Sequence, residues 1–221
     1  MSRYRHQTSH QVRLGTGLCY PGRTRPVNTR RSTKIAGSPV MRKQVLFIQG
    51  GGEDGYEADA KLVAFLTEAL GMDFEFVYPR MQTDETAPAF GWLQQIGNEI
   101  GQLNDDSILV AHSLGASLLL KYLSETSASK KVDRIYLLAT PFWTGNEDWV
   151  QSLKLQDDFA ESIAQPGRFY FYHCRDDEEV PVTHLATYRQ KLPGATFREL
   201  ESGGHQFING LDVIAEDIKA Q

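Results

Sequence analysis

The stretch Val110-Ala111-His112-Ser113-Leu114-Gly115 constrains this chain more than any other. It closes the run Ser107-Ile108-Leu109-Val110 and opens an apolar helical run from Ala116 to Leu123. A strand that passes straight into a helix leaves room only for a sharp turn. A serine on such a turn is held in a strained backbone conformation with its Oγ pushed out beyond the end of the sheet, the geometry of a nucleophile elbow. The residues two before and two after it must be small, because strand and helix nearly touch there. Here they are Ala111 and Gly115. The usual spacing is Gly-x-Ser-x-Gly, and Ala111 departs from it by one Cβ. A small-x-Ser-x-Gly sequence also occurs in packed turns, so the chemistry has to be supported by other residues.

A serine hydroxyl is a poor nucleophile at neutral pH and needs a base within hydrogen-bond reach. In a sheet built around such an elbow, an acid follows a later strand and a histidine follows the last one. Arg168-Phe169-Tyr170-Phe171-Tyr172-His173 reads as a strand and runs into Cys174-Arg175-Asp176-Asp177-Glu178-Glu179-Val180-Pro181. Ala195-Thr196-Phe197-Arg198-Glu199-Leu200 reads as a further strand and leads to Gly203-Gly204-His205. Order and placement both fit. His205 would take the serine proton and return it to the leaving group. A carboxylate would fix the imidazole tautomer and stabilise the imidazolium. Asp176 and Asp177 both lie in the right loop.

Acyl transfer also needs donors for the oxyanion. One is expected to be the backbone N–H of Leu114, directly after the nucleophile. The other is expected from the loop after the first core strand, Val45-Leu46-Phe47-Ile48, which continues as Gln49-Gly50-Gly51-Gly52. Glycine lets the backbone approach a substrate closely. Gly51 is assigned as the second donor, with Gly52 as the alternative. A phosphate loop would need a Lys-Ser/Thr pair after the glycines, and none follows. Gly50, Gly52 and Gly55 match the spacing of a dinucleotide fingerprint. However, Glu53 and Asp54 put negative charge where a pyrophosphate would sit.

Taken together, these segments resemble an α/β-hydrolase. Within that superfamily the chain is similar to the small, cap-less serine hydrolases of the retinoblastoma-binding-protein type. The residues that carry the resemblance are Gln49-Gly50-Gly51-Gly52, Ala111-His112-Ser113-Leu114-Gly115, Asp177-Glu178-Glu179-Val180-Pro181 and Gly204-His205. The resemblance implies a Ser-Asp-His hydrolase with esterase-type activity; no cofactor is expected. It assigns the acid to Asp177, in the pattern Asp-x-x-Val-Pro, with Asp176 as the alternative. Glu178 and Glu179 are then expected on a solvated face. Two departures stand out: Ala111 replaces the first elbow glycine, and Gln49 stands where many relatives have histidine.

After Met41, strand and helix patterns alternate. Strands are expected at 45–49, 73–78, 107–111, 133–139, 168–174 and 195–200. Helices are expected near 57–70, 88–103, 114–126, 181–192 and 209–219, with a shorter one near 156–164. Such alternation gives a parallel sheet with helices on both faces. The expected fold class is α/β, an α/β-hydrolase-like three-layer sandwich of about six parallel strands. The resemblance implies that the chain lacks the antiparallel pair found at one edge of a full α/β-hydrolase sheet. Pro141-Phe142-Trp143-Thr144-Gly145-Asn146-Glu147-Asp148-Trp149 follows the fourth strand at the same sheet edge as the elbow. Trp143 and Tyr56 are the expected substrate-binding residues, Tyr56 being, like Trp92, a weaker pocket candidate than the aromatics of this loop.

The 221 residues suffice for one domain with a substantial core. Charge divides the chain. Residues 1–43 carry ten Lys/Arg and no acid, which leaves 13 basic against all 28 acidic residues from position 44 onward, a net of −15. An acidic domain argues against nucleic-acid binding and against stable association with anionic membranes. The expected partner is a small-molecule ester or acyl substrate. Cys19 and Cys174 make no disulfide framework, so a reducing, cytoplasmic setting is expected. No Cys or His spacing reads as a metal site. Residues 1–40 are expected to be a basic, disordered extension ahead of an α/β-hydrolase domain at 41–221. A targeting segment and an upstream mis-start before Met41 are both compatible with their composition.

The leading functional expectation is a serine hydrolase acting on carboxylic esters or thioesters. Two alternatives use the same scaffold: a non-catalytic binding protein of this fold, and an acyltransferase or peptidase with the same triad.

Overall fold

Alternating apolar residues sort the chain into three layers. The computed structural model describes residues 41–126, 132–163 and 165–220. The expectations for residues 1–40 lie outside that range. Six strands form one sheet: β1 (Lys43–Ile48), β2 (Phe74–Val77), β3 (Ser107–His112), β4 (Val132–Leu138), β5 (Phe169–Cys174) and β6 (Thr196–Leu200). Their order is β2-β1-β3-β4-β5-β6, and every adjacent pair is parallel. The expected three-layer α/β sandwich is therefore observed.

Successive residues of a strand point to opposite faces of the sheet, so each strand divides its apolar residues between two cores. Leu46 and Ile48 of β1, Leu109 and Ala111 of β3, and Leu137 of β4 face one way. They pack on α2 (Trp92–Gln102), α3 (Ser113–Glu125) and, after two short helices, α4 (Asp148–Gln151) and α5 (Phe159–Ser162), on α6 (Thr183–Lys191). Val45, Phe47, Ile108, Val110, Leu138 and Tyr172 face the other way. They pack on α1 (Gly55–Leu70) and α7 (Leu211–Lys219). The central strand β3 is buried along its whole length, as expected of a strand covered by helices on both faces.

One expected helix is shorter than the sequence pattern implied. The pattern spans 88–103, but α2 begins at Trp92. Pro88–Gly91 forms a separate tight turn in which Ala89 and Phe90 have φ of +49° and +58°. Gly91 follows at φ +71°, a left-handed conformation that costs glycine nothing and breaks the helix there. This turn carries Phe90 to the C-terminal edge of the sheet, where the loops of the candidate site gather.

Strand order reverses between β1 and β3. In open α/β sheets, ligands bind beyond the carboxyl ends of the strands at such a switch point. The loop after β1 is Gln49-Gly50-Gly51-Gly52, and the residue after β3 is Ser113. Topology alone thus brings the two segments together.

The edge strand β6 is held to α7 by polar contacts. Asp217 accepts the Tyr172 hydroxyl at 2.6 Å and the Arg198 guanidinium at 3.0 and 2.8 Å. Burial, together with that bond, raises the Tyr172 phenol well above its usual value and keeps it a donor. Asp217→Ala leaves a buried hydroxyl without its acceptor and is expected to cost about 2 kcal/mol. The urea midpoint of the purified variant checks this; an unchanged midpoint would contradict it.

Candidate active site

Ser113 sits at the apex of the turn between β3 and α3 with φ +50°. Left-handed backbone at a non-glycine residue is strained and persists only where packing enforces it. The enforcement is visible at Gly115. A Cβ there would overlap the Gln49 carbonyl oxygen, so β1 and α3 touch backbone to backbone. Ala111 is fully buried, which shows that the extra Cβ of the departed elbow pattern is accommodated.

The first turn of α3 begins at Ser113. Its opening N–H groups have no partner inside the helix, and the helix dipole adds partial positive charge at the same end. Leu114 N–H is one of these groups. Gly51 lies directly against Leu114: a Cβ on Gly51 would come within 2.8 Å of Leu114 Cδ2. Ser113, Leu114, Gly51, Gly52 and His205 all line one cleft of about 570 Å³.

His205 Nδ1 lies 3.0 Å from both carboxylate oxygens of Asp177. The Asp177 side chain is fully buried. Burial by itself would raise its pKa, but hydrogen bonds from His173, His205 and the backbone N–H groups of Val180 and Glu179 outweigh that effect. They hold the carboxyl far below its usual range, so it is ionised at neutral pH. The backbone donors reach one oxygen at 2.8 and 2.9 Å, and His173 Nε2 approaches the other at 3.3 Å while bonding the Val180 carbonyl at 2.8 Å.

Asp176, the sequence alternative, does different work. It accepts Gly203 N–H at 3.2 Å and Gly204 N–H at 2.9 Å. The Gly204 bond, then the Gly203 bond, lowers its pKa. Glu178 is exposed, in line with a solvated face, and also accepts the backbone N–H of His205 at 3.1 Å. Three consecutive acids therefore grip three consecutive residues of the histidine loop. The sequence offered no means of separating this role from a solvated charge run, because the partners lie some 27 residues away.

Trp143 lies in the cleft wall with Phe90, Pro141, Trp149 and Leu153. Its indole N–H donates to Ser117 Oγ at 2.9 Å, and Ser117 in turn donates to the Leu114 carbonyl. Tyr56 is not among the lining residues. It stacks on Tyr78 at 4.3 Å, exchanges hydroxyl-to-carbonyl bonds with it and lies under Arg80. Trp92 is 1% exposed in the core beneath α2 and does not reach the cleft. His184, not singled out from sequence, also lines it. Burial, then the neighbouring His173, lowers the His184 pKa, and its Nδ1 accepts Phe142 N–H at 3.0 Å. Burial pushes the Cys174 thiol up to about 12, so it is no rival nucleophile. Among the described residues no three His, Cys, Asp or Glu side chains gather into a metal-holding group. Nor is any described helix long and apolar enough to cross a membrane.

A family model described as serine hydrolase matches residues 80–210. YdeN of Bacillus subtilis (strain 168), a presumed hydrolase, is 25% identical over 121 residues, which cover 52% of this chain and 60% of that protein. The chain thus spans less than two thirds of that relative in the matched region. The crystal structure of the B. subtilis ydeN product superposes with a TM-score of 0.55 at 20% identity, covering 80% of this chain and 97% of that one. Est1E from Butyrivibrio proteoclasticus gives a TM-score of 0.62 at 14% identity, covering 84% and 88%. The meta-cleavage product hydrolase CumD from Pseudomonas fluorescens IP01 gives 0.64 at 13% identity, covering 80% and 89%. At these identities the structures share the fold with this chain.

Two outcomes are expected from this geometry. Gly115→Ala is expected to lose about 3 kcal/mol of stability, since its Cβ meets backbone that cannot move aside; an unaltered thermal midpoint would contradict the close contact. The second concerns acid. An aspartate in the unfolded chain titrates near about 3.9, and folded Asp177 titrates lower. The folded state therefore binds fewer protons, and this stabilisation is full above the unfolded value and lost as pH falls below about 4. Asp177→Asn is expected to flatten the acid limb of a urea-midpoint profile, and an acid limb as steep as the wild type would count against it.

Proposed function

The chain belongs to the serine hydrolase family, within the α/β-hydrolase superfamily, and we propose that it cleaves carboxylic esters or thioesters through an acyl-enzyme on Ser113. The observation that carries this reading is the joint placement of three groups. Ser113 is strained at the start of α3, His205 lines the same cleft, and Asp177 is ionised and bonded to His205 Nδ1.

In this reading Asp177 fixes the tautomer in which Nδ1 carries the proton, leaving Nε2 as the base. Nε2 takes the Ser113 proton as Oγ attacks the carbonyl carbon. The carbonyl oxygen gains negative charge and is met by the N–H groups of Leu114 and Gly51, which need no reorganisation at that moment. Collapse of the tetrahedral intermediate expels the alcohol or thiol, protonated by His205. Water, deprotonated by the same nitrogen, then releases the acid and restores Ser113.

The cleft supports a restricted substrate class. Its wall is largely aromatic and aliphatic, with Phe90, Leu114, Trp143, Trp149 and Leu153, and among the described residues no Lys or Arg lines it. A space of about 570 Å³ suits a compact apolar acyl group better than a triglyceride. Short- and medium-chain esters are the proposed substrates.

The test is hydrolysis of a p-nitrophenyl ester series, from acetate to palmitate, by wild type and Ser113→Ala. The serine variant is expected to lose at least about a thousandfold in kcat, and His205→Ala a comparable amount, because the triad acts as a unit. Asp177→Asn is expected to cost more than Asp176→Asn. Equal rates for wild type and Ser113→Ala would remove Ser113 from the reaction. Faster turnover of palmitate than of acetate or butyrate would overturn the proposed size limit.

A further inference from the structure

Behind the catalytic residues lies a second aspartate–histidine pair that the reaction above does not use. Asp59, on α1, and His112, at the end of β3, are each 1% exposed. His112 Nδ1 lies 2.9 Å from Asp59 Oδ1 and 3.1 Å from Oδ2. Its other ring nitrogen, Nε2, lies 2.9 Å from the backbone carbonyl oxygen of His205. Asp59 Oδ2 also accepts the backbone N–H of Gly50 at 2.6 Å.

Donor bookkeeping fixes the protons. A carbonyl oxygen only accepts, so Nε2 of His112 carries a hydrogen. The opposite nitrogen faces a carboxyl group, and one further proton lies between them. The pair is thus filled on both sides, with no polar atom left over for substrate.

What it holds matters more than what it is. Gly50 opens the loop that carries the proposed oxyanion donor Gly51. His112 is covalently joined to Ser113. The His205 carbonyl belongs to the proposed base. Three of the four polar atoms of His205 are thereby committed: N–H to Glu178, C=O to His112 and Nδ1 to Asp177. Nε2 is the fourth. The site at Gly50 is also closed sterically, since a Cβ there would lie 3.1 Å from His112 Nδ1 and 3.4 Å from Asp59 Oδ2.

Buried charged pairs commonly add little net stability compared with apolar residues of similar volume. Their value is geometric. We propose that Asp59 and His112 form a positioning clamp, which locks the oxyanion loop, the nucleophile turn and the His205 main chain into one geometry. Neither residue touches substrate; both act through Gly50, Ser113 and His205. The proposal rests on the triad reading above.

The test compares Asp59→Ala, His112→Phe and Asp59→Asn with wild type on one short-chain ester. An asparagine can accept the Gly50 N–H through its amide oxygen and donate its NH2 to an unprotonated His112 Nδ1. All the clamp's hydrogen bonds then survive with one proton rearranged. Asp59→Ala and His112→Phe are expected to lower kcat about 10–100-fold with little change in KM, whereas Asp59→Asn recovers to within about threefold of wild type. Wild-type kcat in Asp59→Ala and His112→Phe would overturn the clamp, as would an Asp59→Asn enzyme as slow as Asp59→Ala. Folding failure of a variant does not shield the proposal, because histidine-labelled wild type can be read by ¹⁵N NMR. His112 is expected to show a protonated Nε2 protected from solvent exchange, and an unprotonated or freely exchanging Nε2 would overturn it. A wild type that turns over no ester removes the underlying triad reading. Full activity in the clamp variants beside a dead Ser113→Ala removes the clamp alone.

Discussion

Holding a non-glycine residue in left-handed backbone costs on the order of 1–3 kcal/mol, and Ser113 is held there from both sides. Before it runs β3, buried throughout and paired with β1 and β4. After it runs α3, whose Gly115 rests on the carbonyl of Gln49 at the end of β1. The chain between strand and helix has no slack to relax into a milder turn. The same tight approach of β1 to α3 sets Leu114 against Gly51. The polar face of the turn is secured by Gln49 itself, whose Oε1 accepts Met81 N–H at 3.0 Å.

A second constraint acts on the far side of the cleft. The histidine loop is anchored on one side by the fully buried Phe207 and, ahead of it, by charge. Asp176, Asp177 and Glu178 take the N–H groups of Gly203, Gly204 and His205 and the imidazole Nδ1. Hydrogen bonds to an ionised acceptor are stronger than neutral ones, and backbone donors cannot drift as side chains do. His173 supports the middle acid from beneath, where the end of β5 meets the loop. Acidity in this domain thus has a local structural use.

The elbow was legible because everything it needs lies in one continuous stretch, residues 107–123: a strand run, two small residues and a helix run. The strands were legible for a similar reason, and their observed ends fall within about two residues of expectation, the usual uncertainty of such boundaries. The start of α2 was not. Pro88 is acceptable in a first helical turn, so nothing local announced that Ala89 and Phe90 would turn left-handed. Partnerships across the fold were also hidden. His112 and Asp59 are 53 residues apart, and no periodicity links them. Tyr56 was expected to bind substrate. Its ring is instead claimed by Tyr78 at the end of β2, a partner that sequence could not supply. Glu178 and Glu179 read alike as surface acids, and only the return of the 203–205 loop distinguishes the first.

Covalent capture is the most direct test of the central claim, that strain and backbone donors converge on Ser113 to make it an acylated nucleophile. Wild-type protein would be mixed with p-nitrophenyl acetate, quenched in acid during turnover and digested for peptide mass spectrometry. The account predicts the mass of one acetyl group on the peptide containing Ser113, absent from Ser113→Ala and accumulating in His205→Ala no faster than in buffer-treated control. Turnover without an acyl group on that peptide, or acylation of another residue that survives in Ser113→Ala, would contradict it.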